Sequence, residues 1–137
     1  MYKHLCVPVD LTHVETLGKA LKVSADLAAL YGAKATLMTV SASTPSTVAQ
    51  NPEEFAERLS SFAAEQGEAL GVAFDSLALH SGDPVVDFEK TLNRAIHERG
   101  VDLVVMASHI PSLADYVFRS HSGYLARHTD VSVFIVR

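Results

Sequence analysis

Asp10 ends the apolar opening run Leu5-Cys6-Val7-Pro8-Val9. A carboxylate there can accept hydrogen bonds from a ligand's hydroxyls, or serve as a cap or turn residue leading into Thr12. Near the other end of the chain, Ser108-His109 and Arg119-Ser120-His121-Ser122 gather hydroxyl, imidazole and guanidinium groups. Nucleophilic catalysis by Ser108, Ser120 or Ser122 with His109 or His121 as base would need a hydrogen-bonded pair and a third group to orient the base. No such third group is evident, and the plainer reading makes the serines helix caps and the histidines polar loop residues. Arg119 can hold a phosphate through paired hydrogen bonds. The seven histidines (His4, His13, His80, His97, His109, His121 and His128) show neither His-x-x-x-His nor Cys/His ligand spacing, so no metal site is expected. The single cysteine, Cys6, has no partner for an internal disulfide and reads as a small buried hydrophobe, which fits a reducing compartment.

Other chemistries fail on their residue requirements. A phosphate-accepting receiver needs clustered carboxylates, and Asp10 stands alone at its strand end. A flavin site needs aromatic walls, and the chain has no Trp. Neither Gly-x-x-x-x-Gly-Lys-Ser/Thr nor Gly-x-Gly-x-x-Gly occurs, which removes the P-loop and Rossmann modes of phosphate binding.

These groups must be positioned by the elements around them. Leu5–Val9, Ala35–Val40, Val101–Ala107 and Val131–Val136 are nearly continuous in apolarity and rich in β-branched residues, as strands covered on both faces are. Val72 to His80 is a weaker strand, expected at an edge. Three helical stripes lie between them: Leu17, Ala20, Leu21, Ser24, Leu27, Ala28, Tyr31; then Phe55, Leu59, Phe62, Gln66, Leu70; then Val85, Phe88, Leu92, Ala95, Ile96. Thr12-x-x-Glu15 predicts a capping box, Asn51-Pro52 and Asp83-Pro84 place a cap before an N-terminal proline, and Gly32, Gly71 and Gly100 stand where the helices should stop. A last short helix is expected over Ser122 to Arg127, and the small polar segment 41–51 reads as a loop. Alternating strands and helices predict an open, doubly wound α/β parallel sheet with right-handed crossovers. Ligands bind such sheets beyond the carboxyl ends of the strands, so the loops after Val9, Val40, His80 and Ala107 matter most.

The 137 residues make one domain, and 48% hydrophobic with 20% charged residues describe an ordinary globular chain. Sixteen acidic against eleven basic residues give a net charge of −5, which argues against nucleic acid or an anionic membrane as the main partner. The opening apolar run is too short for a signal peptide, and no segment is long enough to span a bilayer, so a cytoplasmic protein is expected.

Val104-Val105-Met106-Ala107-Ser108-His109-Ile110-Pro111, Tyr116–His121 and Leu125-Ala126-Arg127-His128 running into Val133–Arg137 resemble the C-terminal signature of the universal stress protein family. The similarity is to the branch in which a strand ends in Ala-Ser-His-Arg-Pro and a helix begins after Gly-Ser-Asn. Val9-Asp10 and Gly82-Asp83-Pro84 resemble the same family, and the ungapped stretch from Ala107 to Arg137 carries several motif residues in register.

That resemblance implies a five-stranded sheet of order 3-2-1-4-5, of the adenine-nucleotide alpha-hydrolase-like type, with a cleft for ATP or AMP. It implies that Pro8, Val9, Asp10 and Val40 line the adenine and ribose side. Ala107, Ser108, His109, Arg119, Ser120, His121 and Ser122 would line the phosphate side, where helix N–H groups suit an anion. The chain departs from the ATP-binding pattern where glycines let backbone approach the phosphates: Ala107, Ile110 and Arg119 stand there instead. Ile110 also removes a cation, which Arg119 would restore. Two functions are therefore expected in competition: a stress-response protein with a weakened adenine-nucleotide cleft, and a dimeric interaction protein of the same fold without nucleotide. The apolar run Val131 to Val136 predicts an exposed edge strand, and the resemblance implies a homodimer through it.

Overall fold

The computed structural model describes residues 1–41, 49, 51–82, 84–107 (84–86 by backbone alone) and 129–137. In chain order the elements are β1 (His4–Pro8), a 3₁₀ turn (Val14–Thr16), α1 (Gly18–Tyr31), β2 (Lys34–Ser41), α2 (Pro52–Leu70), β3 (Phe74–His80), α3 (Pro84–Glu98), β4 (Leu103–Ala107) and β5 (Ser132–Val136). The strands form one parallel sheet in the order β3-β2-β1-β4-β5. Chain progression runs outward from β1 to β3 and then returns past β1 to β4, so strand order reverses between β1 and β4. Right-handed crossovers place α1 and α2 on one face and α3 on the other; α1 and α2 touch each other, as this requires.

The core follows the apolar pattern. Leu5, Cys6, Val7, Leu37, Met38, Val104, Val105 and Met106 are fully buried in the central strands, and each large side chain contributes about 1.5–3 kcal/mol by leaving water. Burial pushes the Cys6 thiol well above its ordinary pKa, because the thiolate has no water to solvate it. The glycine stops hold: Gly32, Gly71 and Gly100 all have φ between 61° and 72°, a left-handed conformation that spares glycine the Cβ clash. Asn51 caps α2 by accepting the Glu54 N–H at 2.8 Å, with Pro52 in the first turn.

Four local expectations change. The Thr12…Glu15 capping box does not form, because the Thr12 N–H and hydroxyl both donate to Asp10; the chain makes a 3₁₀ turn, and α1 starts at Gly18 behind the buried Leu17. On α2 the fully buried row is Leu59, Ala63 and Gly67, with Phe62 and Gln66 only half-buried, since small residues let the helix lie close to its neighbours. β4 begins at Leu103, not Val101, because the Asp102 carboxylate turns back to accept the Lys3 and His4 N–H groups at 2.9 and 3.0 Å. β5 is not covered on both faces: Phe134 and Ile135 are 46% and 40% exposed, as befits the edge that its apolar run also predicts. β3 is the opposite edge, as expected from its weaker pattern. Asp83 and the helix expected over Ser122 to Arg127 lie outside the described residues, as does all of segment 41–51 apart from Ser41, Ala49 and Asn51.

Candidate functional site

The reversal of strand order puts the carboxyl ends of β1 and β4 side by side with no strand end between them. From β1, Pro8 and Val9 are buried, and the Val9 N–H donates to the Met38 carbonyl at 2.9 Å, carrying the β1–β2 pairing to the brink of the loop. Asp10 is the first residue to emerge, and its side chain is only 15% exposed. Ala107 ends β4 and is buried; Val40 is half-buried near the end of β2. Five of the residues expected at the site thus share the carboxyl edge of the sheet: Pro8, Val9, Asp10, Val40 and Ala107. The other six, Ser108, His109, Arg119, Ser120, His121 and Ser122, lie outside the described residues.

Asp10 is both a turn residue and the carboxylate that the end of β1 presents at the sheet edge. Its Oδ1 accepts the Thr12 N–H at 2.9 Å and the Thr12 hydroxyl at 2.6 Å, an Asx turn that fixes the side-chain angle. With the hydroxyl proton committed to Asp10, Thr12 Oγ1 accepts from Nδ1–H of His13 at 2.8 Å. His13 Nδ1 also stands 3.6 Å from Asp10 Oδ2. The neutral imidazole then presents Nε2 as an acceptor. Thr12 and His13 join the site beyond the residues expected there; the Asp-x-Thr spacing signals the first, since an Asx turn needs a donor two residues on. At the ends of β2 and β3 the Ser81 N–H donates to the Ser41 carbonyl at 2.9 Å, which closes that side of the edge. Chemically, the described part of the site offers an oriented carboxylate, an imidazole and apolar walls, a set suited to hydroxyls and a flat apolar ring. Among the described residues no group of three His, Cys, Asp or Glu side chains could hold a metal ion.

A sequence model of the universal stress protein family matches residues 1–137. The chain belongs to the universal stress protein family. Universal stress protein G of Shigella flexneri is 26% identical to it over 142 residues, covering all of both chains. Among solved structures, a universal stress protein in complex with cAMP is 19% identical with a TM-score of 0.70, covering 99% of this chain and 97% of the other. The universal stress protein of Archaeoglobus fulgidus in complex with dAMP is 17% identical with a TM-score of 0.68, covering 99% and 98%. At such identities the structural likeness establishes the family fold: five parallel strands in the order described, with helices packed on them.

Proposed function

We propose that this universal stress protein is a cytoplasmic stress-response protein that binds an adenine nucleotide, ATP or AMP, at the carboxyl edge between β1 and β4. The observation that carries this reading is Asp10: a carboxylate held by the Thr12 turn where strand order reverses, beside the buried Pro8 and Val9. Solved relatives that hold cAMP and dAMP support the choice of an adenine ligand. In this reading Asp10 and Val40 face ribose and adenine. Ala107, Ser108, His109, Arg119, Ser120, His121 and Ser122 face the phosphates, and side chains in place of glycines at Ala107, Ile110 and Arg119 weaken the grip on them.

Isothermal titration with ATP, ADP and AMP tests it, and the decisive variant is Asp10→Asn. The amide keeps an oxygen for the Thr12 turn while removing the charge, so the fold should persist. Losing a charge-assisted hydrogen bond should weaken binding by about 10- to 100-fold. No heat at millimolar nucleotide, or an unchanged affinity in Asp10→Asn, would overturn the reading.

The exposed Phe134 and Ile135 favour one further feature, a homodimer formed through the edge strand Val131 to Val136. Ile135→Lys should leave the monomer folded and shift light scattering to the monomer mass; an unchanged dimer mass would refute pairing through this strand.

A further inference from the structure

We infer that the chain carries a second ligand site, for a small hydroxylated anion such as a polyol phosphate, at the end of the sheet opposite Asp10. A cavity of about 440 Å³ opens at the N-terminal ends of β1, β2 and β3, within the range of roughly 300–1,000 Å³ in which small molecules are held. Its polar lining includes His4, Lys34, Thr36, Asp75, Ser76 and Arg99, with Ser60 of α2 beside them.

The hydrogen bonds fix what that wall offers. The Arg99 carbonyl can only accept, so His4 donates to it from Nδ1–H at 3.1 Å. The neutral ring then has a lone pair at Nε2, and the Thr36 hydroxyl donates to it at 2.8 Å. Thr36, its proton spent, faces the cavity as an acceptor and calls for a donor, such as a ligand hydroxyl. Asp75 adds acceptor oxygens, and Ser76 can serve in either sense.

Charge supplies the other half of the recognition. Lys34 and Asp75 pair at 3.2 Å, which cancels one cation against the one acid of the wall. Among the described residues no acid pairs with the Arg99 guanidinium, so the cavity carries a net positive charge on a chain whose overall charge is −5. A guanidinium in this state binds carboxylate or phosphate oxygens through two parallel hydrogen bonds. An anion on Arg99 with hydroxyls reaching Thr36 and Asp75 satisfies both halves, whereas a bare anion or a neutral polyol satisfies one.

Amide and Arg Nε–H shifts of the ¹⁵N-labelled protein, followed during titration with glycerol 3-phosphate, test the inference. Saturating shifts are expected at His4, Ser76 and Arg99 with Kd in the range of about 0.1–5 mM, and weaker responses to inorganic phosphate and to glycerol. Arg99→Ala leaves intact the backbone carbonyl that holds His4, and it should weaken glycerol 3-phosphate at least about tenfold. Prior saturation with AMP should leave the titration unchanged, since Asp10 lies at the far end of the strands. Silence at these residues, unchanged affinity in Arg99→Ala, or competition by AMP would each overturn it.

Discussion

Replacing Gly67 by alanine sets two effects of opposite sign against each other, and the structure says which should win. Gly67 lies in the interior of α2, where alanine is favoured over glycine by about 1 kcal/mol. A Cβ built there would stand 2.5 Å from the Val72 carbonyl oxygen and 3.5 Å from the Phe74 nitrogen. Ordinary contact begins near 3.4 Å, so the chain after α2 would have to retreat by about 0.9 Å. That oxygen cannot rotate aside as a side chain would. It belongs to the turn pinned by Gly71 and Val72 N–H groups donating to the Gly67 carbonyl, and the same turn leads into β3. Overpacking of this kind costs about 1–3 kcal/mol, and a backbone obstacle places the cost toward the upper end. We therefore expect Gly67→Ala to lose about 1–2 kcal/mol net, a fall in Tm of roughly 3–8 °C for a domain of this length. Gly18→Ala is the control, because a Cβ at Gly18 meets nothing within 4 Å. Thermal and urea unfolding followed by circular dichroism would measure both. A Gly67→Ala protein as stable as the parent would show that helix propensity outweighs the close approach.

Asp102→Ala should cost about 1–3 kcal/mol, because it strands the Lys3 and His4 N–H groups that the carboxylate accepts at the entry to β1. Hydrogen exchange at those two amides should accelerate, and unchanged protection would count against the anchor. His97 donates from Nδ1–H to the Asn93 carbonyl and from Nε2–H to the Asp130 carboxylate, both at 2.8 Å, and only the imidazolium can make both bonds. The Asn93 carbonyl first, and then Asp130, raise the His97 pKa above 6.5; the His97 bond holds Asp130 below 3.8. The His97 contribution to stability is thus present below its unfolded pKa and lost as pH rises through its folded one, while that of Asp130 is lost as pH falls through its depressed value. Asp130→Ala should consequently bring the His97 titration, read by NMR, back toward its ordinary position and be felt in stability chiefly between those limits; an unmoved His97 titration would refute the pairing.

The features legible in the sequence were those whose physics is local. A left-handed stop needs glycine, so Gly32, Gly71 and Gly100 could be read one by one, and Asn51 before Pro52 carries its cap within three residues. Runs of β-branched residues gave the strands, because burial on both faces leaves no room for polar alternation. What was not legible depended on competition between partners. Thr12 could cap a helix or serve Asp10, since Thr12-x-x-Glu15 and Asp10-x-Thr12 are both working spacings; the structure resolves the competition toward Asp10, where two donors from one residue meet one fixed oxygen. Leu59 was legible as a core position, but Ala63 and Gly67, which complete its buried row, were not, for a related reason: hydrophobic periodicity weighs large side chains, whereas the face of α2 that lies closest is marked by the loss of them.

The same distinction bears on the site. Asp10 was legible because it is the first polar residue after a buried strand, and the position alone assigns it to the carboxyl edge. His13 was not, because its place depends on a hydroxyl proton already given to Asp10. A ligand hydroxyl that approaches Asp10 therefore meets a carboxylate whose Oδ1 is engaged by Thr12 and whose Oδ2 faces an imidazole. Thr12→Val tests the consequence for nucleotide binding. It removes the hydroxyl but keeps the backbone N–H, so Asp10 should stay in its turn with one bond fewer, and His13 should lose the oxygen that orients it. If Asp10 acts alone, nucleotide affinity in Thr12→Val should match the parent. If the turn presents Asp10 and His13 as a unit, the variant should bind several-fold more weakly while Asp10→Asn and Thr12→Val together lose less than the two separate effects combined.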